Sequence, residues 1–130
     1  MATILLVEDD PDAAEIVAKA LRKGGHRVMS VPNGREALAL LILQDMDLVV
    51  TDLRMPQMDG ASLIGVIRSY LRWQSLPVIV FSAYGDIRST ERLRALGVSE
   101  VFEKGRADLA ELIQAVERHL AKPARDSSGN

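Results

Sequence analysis

Residues 49–60 read VVTDLRMPQMDG, and they join an apolar run to a turn containing proline and glycine, with one aspartate, Asp52, where the two meet. The apolar run does not alternate with polar residues, which is typical of a parallel strand covered by helices on both faces. Pro56 and Gly60 supply the fixed and the permissive φ that turns need. The stretch predicts a buried strand and a loop, and it leaves open whether Asp52 caps that loop or does chemistry.

Short apolar runs and helical patterns alternate along the whole chain. Predicted strands cover residues 3–7, 27–31, 48–51, 78–81 and 101–102, and predicted helices cover 12–23, 35–43, 61–71, 87–96 and 109–120. Five such βα units predict an α/β fold with one doubly wound parallel sheet. We expect residues 1–121 to form a single domain. The polar residues 122–130 are expected to be a flexible tail or the stump of a linker.

Composition excludes several classes of function. The 130 residues include 16 basic and 18 acidic side chains, two histidines and no cysteine. Disulfides, thiolate catalysis and cysteine metal sites are therefore excluded, and the near-neutral charge favours neither direct nucleic-acid binding nor membrane binding. The longest apolar run, 37–43, is far shorter than the roughly 20 residues of a membrane-spanning helix. The start of the chain does not resemble a signal peptide, so a cytoplasmic location is expected.

Polar side chains follow four of the predicted strands at their carboxyl ends. These are Glu8, Asp9 and Asp10 after the first strand, Asp52 after the third, Ser82 at the fourth and Lys104 at the fifth. In a parallel sheet such ends meet at one edge, which is where ligands bind. Carboxylates from two strands would repel each other unless a cation lay between them, and a sparse acidic set suits Mg²⁺ better than Ca²⁺.

The hydroxyl of Ser82 and the ammonium of Lys104 provide hydrogen-bond donors for an oxyanion at the same edge. The complete set therefore describes a phosphoryl group held over a metal ion, with Asp52 able to accept it as an acyl phosphate. Asp10 directly precedes Pro11, so its expected role is mainly the N-cap of the first helix.

These motifs resemble the receiver domain of two-component response regulators, a flavodoxin-like fold related to chemotaxis regulators. The resemblance covers roughly residues 3–120 and rests on ILLVEDD, DLRMPQMDG, VIVFSA and the lysine that closes the fifth strand. It implies the strand order 2-1-3-4-5 and Asp52 as phosphoacceptor. It also implies a Mg²⁺ site, which Mn²⁺ could fill, formed by Asp9, Asp52, the backbone carbonyl of Arg54 and, through water, Glu8. Ser82 and Lys104 would hold the phosphoryl oxygens, and no other cofactor is implied.

The resemblance also implies partners. The phosphoryl donor would be a phosphohistidine on a sensor histidine kinase or a histidine phosphotransfer protein. The output would be a downstream protein or an effector domain, so the chain would be a signalling domain that catalyses only its own phosphorylation and dephosphorylation. Residues 38–43 are apolar on more than one helical face, which leaves deep packing and a protein contact, including a homodimer, both open.

Four positions modify this expectation. Gly105 follows Lys104 where the family usually has proline, and Val101 stands where it often has an aromatic switch residue. Phe102 lies one place further, and a one-residue shift on a strand points a side chain to the opposite face. Arg54 and Tyr84 hold positions that in this family influence the access of water to the phosphoaspartate, so slower hydrolysis is expected.

Two other functions remain as alternatives. A Mg²⁺-dependent aspartyl phosphohydrolase shares the nucleophile and the metal, but it places its nucleophile after the first strand with a second aspartate two residues on. Here Glu8, Asp9 and Asp10 are contiguous and Asp52 follows the third strand, which argues against that class. The second alternative is a receiver-like binding module that is not phosphorylated, and it is motivated by Val101 and Gly105.

Overall fold

The computed structural model describes residues 1–83, 85–87 and 90–121. Its strands are β1 (Thr3–Val7), β2 (Arg27–Val31), β3 (Leu48–Thr51), β4 (Val78–Ala83) and β5 (Glu100–Lys104). Its helices are α1 (Pro11–Lys23), α2 (Gly34–Leu43), α3 (Gly60–Ser69), α4 (Thr90–Ala95) and α5 (Leu109–Leu120), with a 3₁₀ turn at Leu71–Trp73. Within the described part of the chain, no helix is both long and apolar enough to cross a membrane.

The five strands form one parallel sheet in the order β2-β1-β3-β4-β5, which confirms the predicted fold class and strand order. Val7 pairs with Val31 on one side and with Thr51 on the other, so β1 and β3 end at the same level. The connection order reverses between these two strands. A crevice at such a reversal, beyond the carboxyl ends of the strands, is where this architecture binds ligands.

Two apolar layers cover the sheet. Helices α2, α3 and α4 pack on one face, where Val49 and Val80 belong to the core, and α1 and α5 pack on the other, where Val50 and Ile79 belong to it. Successive residues of the central strands are therefore buried on opposite sides. This double burial explains why the strands read as apolar runs without alternation.

The N-cap of α1 is Asp10, as predicted, and the N-cap of α5 is Asp108. Asp10 accepts a hydrogen bond from the amide of Asp12, and Asp108 forms a complete capping box with Glu111. The predicted helix over residues 61–71 was too long, because α3 ends at Ser69 and Tyr70 is extended before the 3₁₀ turn begins.

The predicted fifth strand, residues 101–102, was too short, because β5 covers Glu100–Lys104 and pairs along its length with β4. It is an edge strand with charged side chains at both ends, so only its two central residues form an apolar run in the sequence. The helix predicted over residues 87–96 begins at Thr90, and residues 88 and 89 lie outside the described ranges.

Arg68, in the last turn of α3, forms hydrogen bonds to two other chain segments. Its Nε donates to the carbonyl of Leu96, Nη1 to that of Trp73 and Nη2 to that of Gly97, each over 2.9 Å. The side chain is half-buried, and burial lowers the pKa of its guanidinium. These bonds join the end of α4 to α3 and the 3₁₀ turn, a role that the sequence did not reveal.

Candidate functional site

Asp52 lies directly after β3 and is only 8% exposed. Its amide donates to the carbonyl of Val7 over 3.0 Å, which fixes the end of β3 against β1. Oδ1 accepts hydrogen bonds from the amide of Leu53 at 2.7 Å and from Oγ of Ser82 at 2.5 Å. Oδ2 lies 3.3 Å from Nζ of Lys104. Hydrogen-bond donors therefore lie at both oxygens of this buried carboxylate.

The cap of the following helix is a different residue. The side chain of Asp59 accepts a hydrogen bond from the amide of Ser62 over 2.8 Å and is the N-cap of α3. Asp59 lies in the predicted turn, and an aspartate just before a helical pattern is a signal for an N-cap that the sequence already carried. Asp52 is thus left without the capping role that the sequence had kept open.

Lys104 closes β5 and joins the acids of two other strands. Its Nζ lies 2.5 Å from Oε1 of Glu8, a buried side chain that also accepts a bond from the amide of Asp10 at 3.1 Å. Burial lowers the pKa of the Lys104 ammonium, but the hydrogen bond to Glu8 and the charges of Asp52 and Glu8 outweigh it, so this pKa is raised. The ammonium therefore stays charged at neutral pH.

Burial raises the pKa of the Glu8 carboxyl, and the hydrogen bonds from Lys104 and from the amide of Asp10 offset only part of that rise. Glu8, Asp9 and Asp52 each offer a carboxylate oxygen within 4.8 Å of the others, with Asp9 exposed and the other two buried. Three carboxylates beside one ammonium carry excess negative charge. A hard divalent cation with oxygen ligands fits this donor set, because it would relieve their mutual repulsion.

Ser82 is fully buried near the end of β4. Its hydroxyl oxygen accepts a hydrogen bond from the amide of Leu53 over 3.3 Å and donates one to Asp52. The exposed Arg54 side chain lies over the neighbouring loop, with Nε 3.8 Å from Oδ1 of Asp86. The metal-ligand role of the Arg54 carbonyl remains a prediction. Tyr84, which the sequence predicted to modulate the site, lies outside the described residues.

Position 60 needs glycine because there is no room for a side chain, which corrects the expectation that the turn needs the permissive φ of Gly60. Positive φ in this turn occurs at Gln57, with φ 71°, while Gly60 begins α3. A Cβ on Gly60 would lie 2.1 Å from the carbonyl oxygen of Asp52 and 2.9 Å from Cα of Leu53. The start of α3 therefore packs directly against the backbone that carries Asp52.

The two positions at which the chain departs from the usual pattern have clear structural settings. Gly105 has φ 90°, a conformation open to glycine and closed to proline, and the amides of Arg106 and Ala107 both donate to the carbonyl of Glu103. Val101 packs on the side of α2, α3 and α4, whereas Phe102 packs on the side of α1 and α5. The prediction that Val101 and Phe102 point to opposite faces of the sheet is confirmed.

Comparison with known proteins agrees with this geometry. The family model for the response regulator receiver domain matches residues 4–117. A 14.6 kDa protein of Leptolyngbya boryana is 39% identical over 123 residues, covering 92% of each chain. The response regulator protein FleR of Pseudomonas aeruginosa is 40% identical over 94 residues, which are 72% of this chain. The chain spans only 20% of the length of FleR.

Solved structures give the same result. The receiver domain of a signal transduction histidine kinase from Syntrophus aciditrophicus superposes with a TM-score of 0.87 at 32% identity, covering 100% of this chain and 98% of that one. The response regulator TrrA of Thermotoga maritima, solved in complex with Mg²⁺-BeF, has a TM-score of 0.81 at 29% identity, covering 92% and 99%. With its strand order, its buried Asp52 and a family match over most of its length, the chain belongs to the response regulator receiver domains of two-component signalling.

Proposed function

We propose that Asp52 is the phosphoacceptor of this receiver domain. The observation that carries the proposal is the setting of its carboxylate, which is buried at the carboxyl edge of the sheet between the hydroxyl of Ser82 and the ammonium of Lys104. One carboxylate oxygen attacks the phosphorus of a phosphohistidine. A P–O bond forms as the P–N bond breaks, and the electron pair of that bond goes to the departing imidazole nitrogen.

The residues around Asp52 have separate tasks in this reaction. Lys104 is held charged by Glu8 and Asp52, so its ammonium can offset negative charge on the transferred group. The hydroxyl of Ser82 already donates a hydrogen bond to Asp52. Once the acyl phosphate forms, this hydroxyl must donate to a phosphoryl oxygen instead. Such an exchange moves the end of β4, which is a route from the phosphorylated site to a partner-binding surface.

Glu8, Asp9 and Asp52 would hold Mg²⁺, or Mn²⁺ in its place, with the carbonyl of Arg54 as a further ligand and Glu8 acting through water. Their carboxylate oxygens are close enough to share one ion. The bound ion would supply positive charge against the developing phosphoryl oxygens. TrrA, the relative solved with Mg²⁺-BeF, supports this assignment.

The proposed partners are a sensor histidine kinase or a histidine phosphotransfer protein as donor, and a downstream protein or an effector domain as recipient of the signal. Two relatives, FleR and the transcriptional regulatory protein GlrR of Escherichia coli, are much longer than this chain, which matches 20% and 27% of them. In this role the protein is a cytoplasmic switch and not an enzyme with turnover. Arg54 and Tyr84 are proposed to slow hydrolysis of the phosphoaspartate.

Intact mass spectrometry tests the assignment of Asp52. The wild-type chain is incubated with acetyl phosphate and Mg²⁺, and we expect a gain of one phosphoryl mass that EDTA abolishes. Asp52→Asn should show no gain. Asp59→Asn is the matched control, because it alters an exposed acid of the same loop and asparagine preserves an N-cap, so it should be labelled like wild type.

Two results would overturn the proposal. One is a phosphoryl gain that persists in Asp52→Asn. The other is a wild-type chain that acquires no label from acetyl phosphate or from a panel of autophosphorylated histidine kinases, which would favour a receiver-like binding module. Continuous release of phosphate from a small ester, without a stable labelled species, would instead favour the phosphohydrolase.

A further inference from the structure

Two neighbouring segments expose large apolar side chains at the end of the sheet where the strands begin, which is the end away from Asp52. Among the described residues, six large apolar side chains are more than half exposed, and four of them are Ile42 and Leu43 at the end of α2 and Tyr70 and Leu71 after α3. We call these four residues the apolar patch. Leu43 and Leu71 are 78% and 86% exposed, so neither contributes to the core.

The structure places the two halves of the apolar patch side by side. Helix α2 packs on α3, and Nη2 of Arg72 lies 3.7 Å from Oδ1 of Asp45. Asp45 follows Leu43 by two residues and Arg72 follows Leu71 directly, so this ion pair joins the ends of both segments. Both helices run back from the carboxyl edge, and the next strands, β3 and β4, start beyond them. The apolar patch therefore leaves the surroundings of Asp52 open.

We propose that the apolar patch is the contact face of a weak homodimer with two-fold symmetry. In such a contact the same surface meets itself, so it must carry its own electrostatic complement. Asp45 is 99% and Arg72 50% exposed at the side chain, and they provide one acidic and one basic group beside the apolar side chains. A two-fold axis through the apolar patch can bring Asp45 of one copy against Arg72 of the other, which favours a second copy over a partner of uniform charge.

The size of the apolar patch sets the expected strength of association. Four partly exposed side chains provide roughly a few hundred Å² of apolar surface, about the size of the largest apolar patch on a typical monomer. A standard stable interface buries about 800 Å² per partner. The dimer should therefore form only at high protein concentration, and it requires no phosphorylation of Asp52.

Sedimentation equilibrium of the unphosphorylated full chain tests this proposal between about 10 µM and 1 mM, the range that separates weak association from none. We expect the average mass to move from monomer towards dimer. Leu71→Ser should weaken association at least about tenfold, because it removes the most exposed apolar side chain of the patch. Ile16→Ser is the control: Ile16 is also more than half exposed, but it lies on α1, and association should not change.

The charge arrangement is tested by reversal. Asp45→Arg alone or Arg72→Asp alone places like charges across the axis and should weaken association at least about tenfold, whereas the double variant restores opposite charges and should return it to within about threefold of wild type. Circular dichroism confirms that each variant is folded. A chain that stays monomeric at 1 mM leaves the patch to another protein and overturns the proposal. Association that survives Leu71→Ser, or that the double reversal does not restore, overturns it as well.

Discussion

Replacing Gly60 with alanine tests how the start of α3 positions Asp52. The added Cβ would lie 2.1 Å from the carbonyl oxygen of Asp52, about 1.3 Å short of ordinary contact. That oxygen belongs to backbone and cannot rotate away, and the amide of Gly60 is also bonded to the carbonyl of Leu53 over 2.8 Å. The clash can be relieved only by moving α3 or the segment that carries Asp52.

The cost of Gly60→Ala can be estimated from overpacking. Inserting one carbon into a packed core typically costs about 1–3 kcal/mol, and a contact with rigid backbone belongs at or above the upper end of that range. Alanine recovers a little through its helix propensity, so the net loss should be about 2–4 kcal/mol. For a domain of this size the melting temperature should fall by roughly 8–16 °C. A shift of about 1 Å at Asp52 should also slow phosphorylation about 10- to 100-fold.

Gly65 provides a control with the opposite expected sign. It lies in the middle of the same helix, and a Cβ there would meet nothing within 4 Å. Gly65→Ala should stabilise the protein by about 0.5–1 kcal/mol and leave the phosphorylation rate unchanged. Urea unfolding and the rate of labelling by acetyl phosphate are measured for both variants. The steric argument would be refuted if the free energy of unfolding of Gly60→Ala lay within about 1 kcal/mol of the wild-type value, at or below the lower edge of ordinary overpacking costs.

Two further predictions concern stability away from Asp52. Arg68→Met removes four hydrogen bonds to backbone carbonyls and should cost about 2–4 kcal/mol in urea unfolding. Arg35→Met, on an exposed side chain, should cost less than about 0.5 kcal/mol, and equal losses would contradict the role of Arg68. Burial raises the pKa of Glu100, but its bonds to Arg118 and His119 outweigh this and lower it below the ordinary 4.5. This carboxylate therefore stabilises the fold above about pH 4.5 and loses that contribution as the pH falls through its lower folded pKa. Glu100→Gln should differ from wild type in urea unfolding at pH 7 and converge with it in acid, and a difference that does not change with pH would exclude the linkage.

The fold was predictable because its signals are local. Unbroken apolar runs, helix caps and the order of βα units are each contained in a few neighbouring residues, and they give the α/β class. Arg68 shows what such signals leave out. Its partners are the carbonyls of Leu96, Trp73, Gln74 and Gly97, and backbone carbonyls look the same in every sequence. The steric need for Gly60 is hidden for the same reason, since the atom that it approaches is the backbone oxygen of Asp52.

The arrangement of side chains within the site follows from the two-residue period of the strands. Leu6, Val50 and Phe102 belong to the apolar layer of α1 and α5, and two residues further along each strand stand Glu8, Asp52 and Lys104. The same period therefore directs these three side chains to one side of the sheet, where Lys104 contacts both acids.

The side chain of Ser82 points to the opposite face of the sheet. It follows Val80, which packs in the layer of α2, α3 and α4, so its hydroxyl approaches Asp52 from the other side and reaches Oδ1 while Lys104 faces Oδ2. The positions of the site residues along their strands thus decide which oxygen each one meets. A shift of one residue at the end of β5 would carry the ammonium of Lys104 to the side of Ser82 and leave Glu8 without its partner. Val101 and Phe102 show the same rule, because these neighbours on β5 pack in opposite apolar layers.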